Sequence, residues 1–161
     1  MKFRHLLPLT LLMTLPSWAL DIYPQVSGTI IEMKAVGTEV KQGEVLVTLD
    51  SRQAQLEVEY LQAILAIKQQ NFDDAKLHLD QTQELYDRLV ASHRDLEEAQ
   101  MNFNAAQREL SAHQVKIQIA QIELEKYQIR SPIDATVEAL VSPRNATHIN
   151  QPQVLMRLAP K

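Results

Sequence analysis

Between Ser51 and Tyr127 apolar side chains return every third or fourth residue. Ala54, Val58, Leu61, Leu65, Lys68, Phe72, Ala75, Leu79, Thr82, Tyr86 and Leu89 form one such series, interrupted by the polar Lys68 and Thr82. Leu96, Ala99, Phe103, Ala106, Leu110, His113, Ile117, Ala120, Leu124 and Tyr127 form a second. Alternating steps of three and four hold each series on one stripe of a slightly under-wound helix, which predicts two coiled-coil helices. The chain is expected to reverse over Val90 to Asp95, so that the two seams face each other. If Leu89 meets Leu96 at that reversal, the following layers pair Tyr86 with Ala99, Leu79 with Ala106, Ala75 with Leu110, Leu65 with Ala120 and Leu61 with Leu124. Large residues then face small ones and the layers fill at native density. Burying a Leu or Phe contributes about 1.5–3 kcal/mol, against about 0.3–0.5 kcal/mol for an exposed ion pair on a helix. The seam therefore sets the geometry, and the charged faces keep it soluble. Phe72 opposite His113 and Lys68 opposite Ile117 are the impure layers; Lys68 is expected to lay its stem on the seam and send its ammonium to water. At roughly 1.5 Å per residue each arm projects about 50–60 Å.

The flanks of this stretch alternate like strands. From Tyr23 to Leu49, Val26, Ile30, Val36, Val40, Val45 and Val47 interleave with polar residues, and Gly28, Gly37 and Gly43 punctuate the runs as expected tight turns. A piece of this size is too small to bury its own core. Its complement follows the helices: Val40-Lys41-Gln42-Gly43-Glu44-Val45-Leu46-Val47-Thr48-Leu49 is echoed by Ile149-Asn150-Gln151-Pro152-Gln153-Val154-Leu155-Met156-Arg157-Leu158, and Gly28-Thr29-Ile30 by Ala135-Thr136-Val137. An antiparallel hairpin returns the chain to its start, so the two similar β units are expected to close face to face around one core. The predicted fold is α+β, a β-sandwich of two half-motifs carrying a helical spike. Its expected segments are 1–19, a signal peptide; 20–50, the first half-motif; 51–127, the α-helical hairpin; and 128–161, the second half-motif.

Composition narrows the chemistry. The 161 residues include no Cys and carry a formal charge of −4, which leaves no disulfide framework or thiolate chemistry and argues against nucleic acid as a partner. Lys2 and Arg4 precede an apolar run from Leu6 to Leu15, and Ser17-Trp18-Ala19 supplies a small-x-small site. This is the pattern of a secretory signal cleaved after Ala19, with the apolar run too short for an ordinary membrane span. Export without cysteine suits a bacterial periplasm, free or associated with the inner membrane.

Tyr127-Gln128-Ile129-Arg130-Ser131-Pro132-Ile133-Asp134-Ala135-Thr136-Val137 resembles the "T-x-I-R-A-P-F-D-G-x-V" segment that follows the hairpin in HlyD-type periplasmic adaptors, the membrane fusion proteins. Gly28 to Asp50 is similar to their first half-motif, "G-x-V … V-x-x-G-x-x-L-x-x-L-D". The resemblance covers Tyr23 to Pro160, and the order half-motif, hairpin, half-motif is more specific than either motif. It implies a biotinyl/lipoyl-like sandwich in a protein that bridges an inner-membrane transporter, directly or through another subunit, and an outer-membrane channel of the TolC type, as a homo-oligomer. Ala135 and Pro152 stand where the family commonly has glycine, which is expected to reshape those turns. The sequence ends at Lys161 where typical adaptors continue into a β-barrel, so a minimal adaptor is expected.

Ser92-His93-Arg94-Asp95 reads as a capping box at the start of the second helix. In adaptors of TolC-type channels the tip carries an Arg, a Leu four residues on and a Ser seven after that. The resemblance maps the last two onto Leu85 and Ser92, with Gln81 in place of the Arg and Arg88 one turn away. Leu85, Arg88, Leu89, Ser92 and Arg94 are thus the expected partner-contact residues; Leu85 is equally placed to pack inside the hairpin.

Elsewhere the sequence offers little chemistry. Lys34, in Glu32-Met33-Lys34-Ala35, lies inside the half-motif rather than after it, so it reads as a solvated lysine and not as the modified lysine of a carrier domain. His5, His78, His93, His113 and His148 show no metal spacing, and Met33, Met101 and Met156 are too scattered for a thioether cluster. Asp73 with Asp74 and Glu97 with Glu98 are adjacent on helices and read as solvated faces. No nucleophile elbow, phosphate loop or dinucleotide fingerprint is present, so no enzymatic activity, cofactor or metal is expected. A stand-alone periplasmic coiled-coil scaffold or chaperone is the alternative reading of the same features.

Overall fold

The computed structural model describes residues 19–141, 148–149 and 151–161; the expected signal peptide lies outside them but for Ala19. The two apolar series become α1 (Arg52–Asp87) and α2 (His93–Glu125), preceded by β1 (Leu20–Ile22), β2 (Gly28–Met33), β3 (Glu39–Val40) and β4 (Val45–Leu49). After α2 come β5 (Gln128–Arg130), β6 (Ala135–Leu140), β7 (His148–Ile149) and β8 (Met156–Pro160).

The strands form two four-stranded sheets, ordered β1-β8-β6-β3 and β5-β4-β2-β7. Neither sheet is one half-motif. Each half contributes its two longer strands to one sheet and lends its two short ones to the other: β1 and β3 pair with β8 and β6, and β5 and β7 with β4 and β2. The two orders superimpose strand for strand, so the internal repeat is a pseudo-two-fold exchange rather than two closed units laid face to face. The repeated positions are the buried ones, because Val40 and Ile149, Leu46 and Leu155, Val47 and Met156, Leu49 and Leu158 all enter one core. Met33 packs against that core, while Met101 is exposed on α2, so the methionines do not converge.

The glycines divide. Gly37 and Gly43 have φ of 85° and 82°, the left-handed turns expected of them. Gly28 is no turn; it opens β2, and Ala135, its counterpart, opens β6 fully buried. The family segment after α2 secures the neighbouring turn: Ser131 N–H donates to the Glu44 carbonyl (2.9 Å), Gly43 N–H to the Ser131 carbonyl (2.7 Å), Arg130 Nη1 to the Gly43 carbonyl (2.9 Å), and Gln42 N–H to Asp134 Oδ1 (2.7 Å). These residues hold two strands together.

The hairpin has both seams as expected but not their register. Every seam residue on α1 and α2 is wholly or partly buried, whereas Leu89 is 93% exposed in the reversal with φ 60°. Phe72 meets Phe103, ring centroids 5.4 Å apart, instead of His113, and His113 Nε2 lies 2.7 Å from the Leu61 carbonyl. The pairing is displaced by ten residues, three layers of the seam. A slip of that size keeps both stripes facing and changes only which residues meet, so periodicity alone could not set it; placing Leu89 on the turn does. Lys68 Nζ finds Glu109 at 2.7 Å across the hairpin, on its exposed flank. Buried Thr82 returns its hydroxyl to the His78 carbonyl (2.8 Å), leaving no unpaired polar group there.

The glutamines, conspicuous in the sequence, have a local role. Gln69, Gln70, Gln83 and Gln100 donate to Asp73, Asp74, Asp87 and Asn104 one turn on, at 2.8–3.1 Å. Such pairs support exposed helix surface.

Candidate docking tip of the hairpin

The end of α1 is closed by its own backbone. Leu89 N–H donates to the Tyr86 carbonyl (2.9 Å), and Val90 and Ala91 N–H both donate to the Leu85 carbonyl (2.8 and 3.2 Å). This satisfies the helix-end carbonyls with a left-handed residue, the place usually given to glycine. Here it is a leucine. Its side chain, with those of Val90 (71% exposed) and Leu85 (43% exposed), projects from the tip into solvent.

The start of α2 is fixed by the capping box: Asp95 N–H donates to Ser92 Oγ (3.2 Å), and Ser92 N–H donates to Asp95 Oδ2 (2.9 Å). The Ser92 hydroxyl also donates to Asp95 Oδ2 (2.7 Å), which commits its proton internally. Those Ser92 hydrogen bonds hold the Asp95 carboxyl below the usual carboxylate range. Arg88 is tethered to Glu84, one turn below it. Arg94 is exposed beside the box. The His93 ring lies 6.1 Å from that of Tyr86 and 3.3 Å from Glu97 Oε1.

The structure thus brings Leu85, Leu89, Ser92 and the flanking Arg88 and Arg94 to one end of a rod some 50 Å long. Gln81 is exposed farther down α1. Val90 was missed by sequence reasoning, although its adjacency to Leu89 at a break in the heptad was the available signal. Lys34 pairs with Glu44 at 3.0 Å on the sandwich, as a surface lysine does. A cleft of about 700 Å3 between the free edges of β1 and β5 and the base of α2 lies at the opposite end of the hairpin. Among the described residues no group of three His, Cys, Asp or Glu side chains could hold a metal ion, and no helix is long and apolar enough to cross a membrane.

A strand-exchanged β-sandwich with a long helical hairpin inserted between its halves defines the barrel-sandwich hybrid class of protein. The sequence model of the CzcB-like barrel-sandwich hybrid domain matches residues 19–143, and the chain belongs to that family, within the HlyD-type adaptors. Among solved structures it is similar to MacA from Actinobacillus actinomycetemcomitans, 26% identical over 87% of this chain and 48% of that one, with a TM-score of 0.58. A MacA–MexA chimera containing the Pseudomonas aeruginosa MexA α-hairpin domain is 27% identical, covering 88% and 48% of the two chains, with a TM-score of 0.61. The membrane fusion protein Spr0693 from Streptococcus pneumoniae R6 shares the fold, at 15% identity over 88% and 62% of the two chains with a TM-score of 0.64. The chain therefore spans about half the length of the MacA structures. No curated protein matches it.

Proposed function

We propose that this chain is a non-enzymatic periplasmic adaptor subunit of a tripartite efflux or secretion system, organised as signal peptide 1–19, half-motif 20–50, hairpin 51–127 and half-motif 128–161. The hairpin tip, formed by Leu85, Arg88, Leu89, Val90, Ser92 and Arg94, docks on an outer-membrane channel of the TolC type. An inner-membrane transporter is met at the other end, directly or through another subunit, and several copies act together. The mechanism is geometric: the protein spans and seals rather than reacts.

The observation that carries this reading is Leu89, almost wholly exposed in a backbone conformation that disfavours a side chain. A non-glycine residue in the left-handed region costs about 1 kcal/mol, and this side chain gains no burial within the chain in return. A partner that covers the tip accounts for both. Helix ends meeting helix ends bury little area per copy, so avidity across copies supplies the strength.

The test is a pull-down from the native cell envelope with reversible crosslinking, comparing wild type with a Leu89→Asp, Val90→Ser variant. Both substitutions lie outside the capping box and the seam, so the hairpin stays folded. Capture of an outer-membrane channel by wild type alone is the expected result. If both proteins bring down the same set, with no channel in it, the docking reading falls and a stand-alone scaffold takes its place.

A further inference from the structure

We infer that the open edge of β5 is a strand-addition site, where an extended peptide of another protein, alternating apolar with basic residues, pairs its backbone with Gln128 and Arg130 at the foot of the hairpin. This goes beyond the adaptor reading, since it needs neither the tip nor a channel.

β5 is paired on one side only. It ends its sheet in the order β5-β4-β2-β7, and among the described residues no strand lies on its other side. The bonds toward β4 fix which backbone groups are left over. The Tyr127 carbonyl accepts from Leu49 N–H (2.9 Å), and Ser131 N–H donates to the Glu44 carbonyl (2.9 Å). Tyr127 and Ser131 thus turn their backbone toward β4, as does Ile129, which is paired with Val47. Gln128 and Arg130 alternate with them, so the N–H and C=O of each point the other way, into the cleft. The side chains of this pair do not compete for those groups: the Arg130 guanidinium is held by the Gly43 carbonyl (2.9 Å) and by Gln128 Oε1.

Exposed strand edges are normally blunted by a charge, a proline or a covering loop. This one instead lines a concavity of about 700 Å3 that it shares with β1 and the last turn of α2, a size that suits a bound ligand. Leu20, Tyr23 and Ile122 stand in its wall with apolar surface open to solvent. A strand added to β5 extends its sheet, so one set of its alternating side chains turns toward the opposite sheet, whose edge strand β1 carries Leu20. Apolar residues suit that set. Charge selects the rest of the peptide. Asp21 is taken by Arg157 (2.9 Å) and Lys126 by Glu123. Of the carboxylates lining the cleft, Glu125 alone has no ion-pair partner among the described residues, and a Lys or Arg of the peptide would supply one.

The test uses the purified chain and three end-blocked hexapeptides: alternating valine and lysine, the same sequence with every amide N-methylated, and alternating valine and glutamate. In calorimetric titration at low salt the first is expected to bind about tenfold more tightly than either of the others, and to slow amide hydrogen exchange at Gln128 and Arg130. Arg130→Ala keeps the outward N–H and should retain binding. Arg130→Pro removes that N–H and should weaken binding about tenfold, although both variants lose the same positive charge. Proline there breaks no bond to β4, so both variants should keep their helix content. Glu125→Lys should weaken the valine–lysine peptide about threefold. No binding of that peptide, equal binding of its N-methylated form, or equal affinities for Arg130→Ala and Arg130→Pro would each overturn the inference. So would exchange at Gln128 and Arg130 that slows with protein concentration alone, because a second copy would then cover the edge.

Discussion

Phe72 and Phe103 meet ring to ring across the hairpin, 5.4 Å between centroids and tilted by 39°. That contact, with the His113 bond to the Leu61 carbonyl, fixes the axial register of two helices whose stripes alone allow a slip of several layers. Truncating either Phe to Ala is expected to destabilise the hairpin by about 2–3 kcal/mol. The double variant should fall short of the sum by about 0.5–1.5 kcal/mol, the coupling of an aromatic pair. A Phe72 and His113 double-mutant cycle, measured by urea denaturation, should show no comparable coupling. Coupling in that second cycle would restore the register with Phe72 opposite His113.

Leu89→Gly is expected to move stability and binding in opposite directions. Glycine takes the left-handed conformation without strain, so Tm should rise, by the equivalent of about 1 kcal/mol. Channel capture should drop, because the most exposed apolar side chain of the tip is gone. A variant that loses stability would show that Leu89 packs within the hairpin.

Gly28→Ala should be tolerated, whereas Gly43→Ala should not. A Cβ at Gly28 would meet Leu49 Cβ and Cδ1 at 3.7 Å, ordinary contact, and the equivalent residue of the second half is already alanine, Ala135. Where the backbone suits it, removing a glycine's freedom in the unfolded chain stabilises by about 0.4–1 kcal/mol. Gly43, at φ 82°, has space for a Cβ but not the backbone for it, and its substitution should cost about 1–2 kcal/mol. Thermal denaturation of the two variants reads the contrast directly.

Asp50 links stability to acid. Hydrogen bonds from the Arg52 side chain, then from its backbone, hold the Asp50 carboxyl at about 2, below its ordinary 3.8. A depressed carboxylate favours the folded state above its ordinary value. That contribution is lost as pH falls through the window from about 4 to about 2. Asp50→Asn should flatten the acid limb of helix loss at 222 nm in that window and lower the Tm at neutral pH, where the wild-type carboxylate contributes fully. An unchanged acid limb would exclude Asp50 as its source.

Much of this architecture was legible because burial leaves a period. The seam residues, the capping box of Ser92 and Asp95 and the repeat linking Val47 to Met156 each record a local geometric demand. The register of the hairpin left no such trace: Leu89 continues the heptad in sequence, yet it sits on the turn, and a periodic pattern cannot announce its own last member. The exchange of β3 and β7 was hidden for a related reason, since Val40 and Ile149 look the same whichever sheet receives them. At the tip, Leu85 and Ser92 were reached through resemblance, whereas Val90 needed the backbone bonds of the reversal to show that it faces outward. Lys68 was read from its own stem and not from its partner, because Glu109 becomes level with it only in the true register.

Both feet of the hairpin stand on one strand pair. Thr48 of β4 is opposite Gln128 of β5, and the Leu49 N–H to Tyr127 carbonyl bond closes the base just above them. A rod about 50 Å long rising from strands about 4.8 Å apart is a lever with a ratio near ten to one. A sideways swing of roughly 10 Å at the tip would ask the two strands to shift by only about 1 Å along each other, within the give of a twisted edge pair. The tip can thus search a wide area at little cost to the sandwich, and a firm grip at the tip returns to the sheet as a small shear on β5.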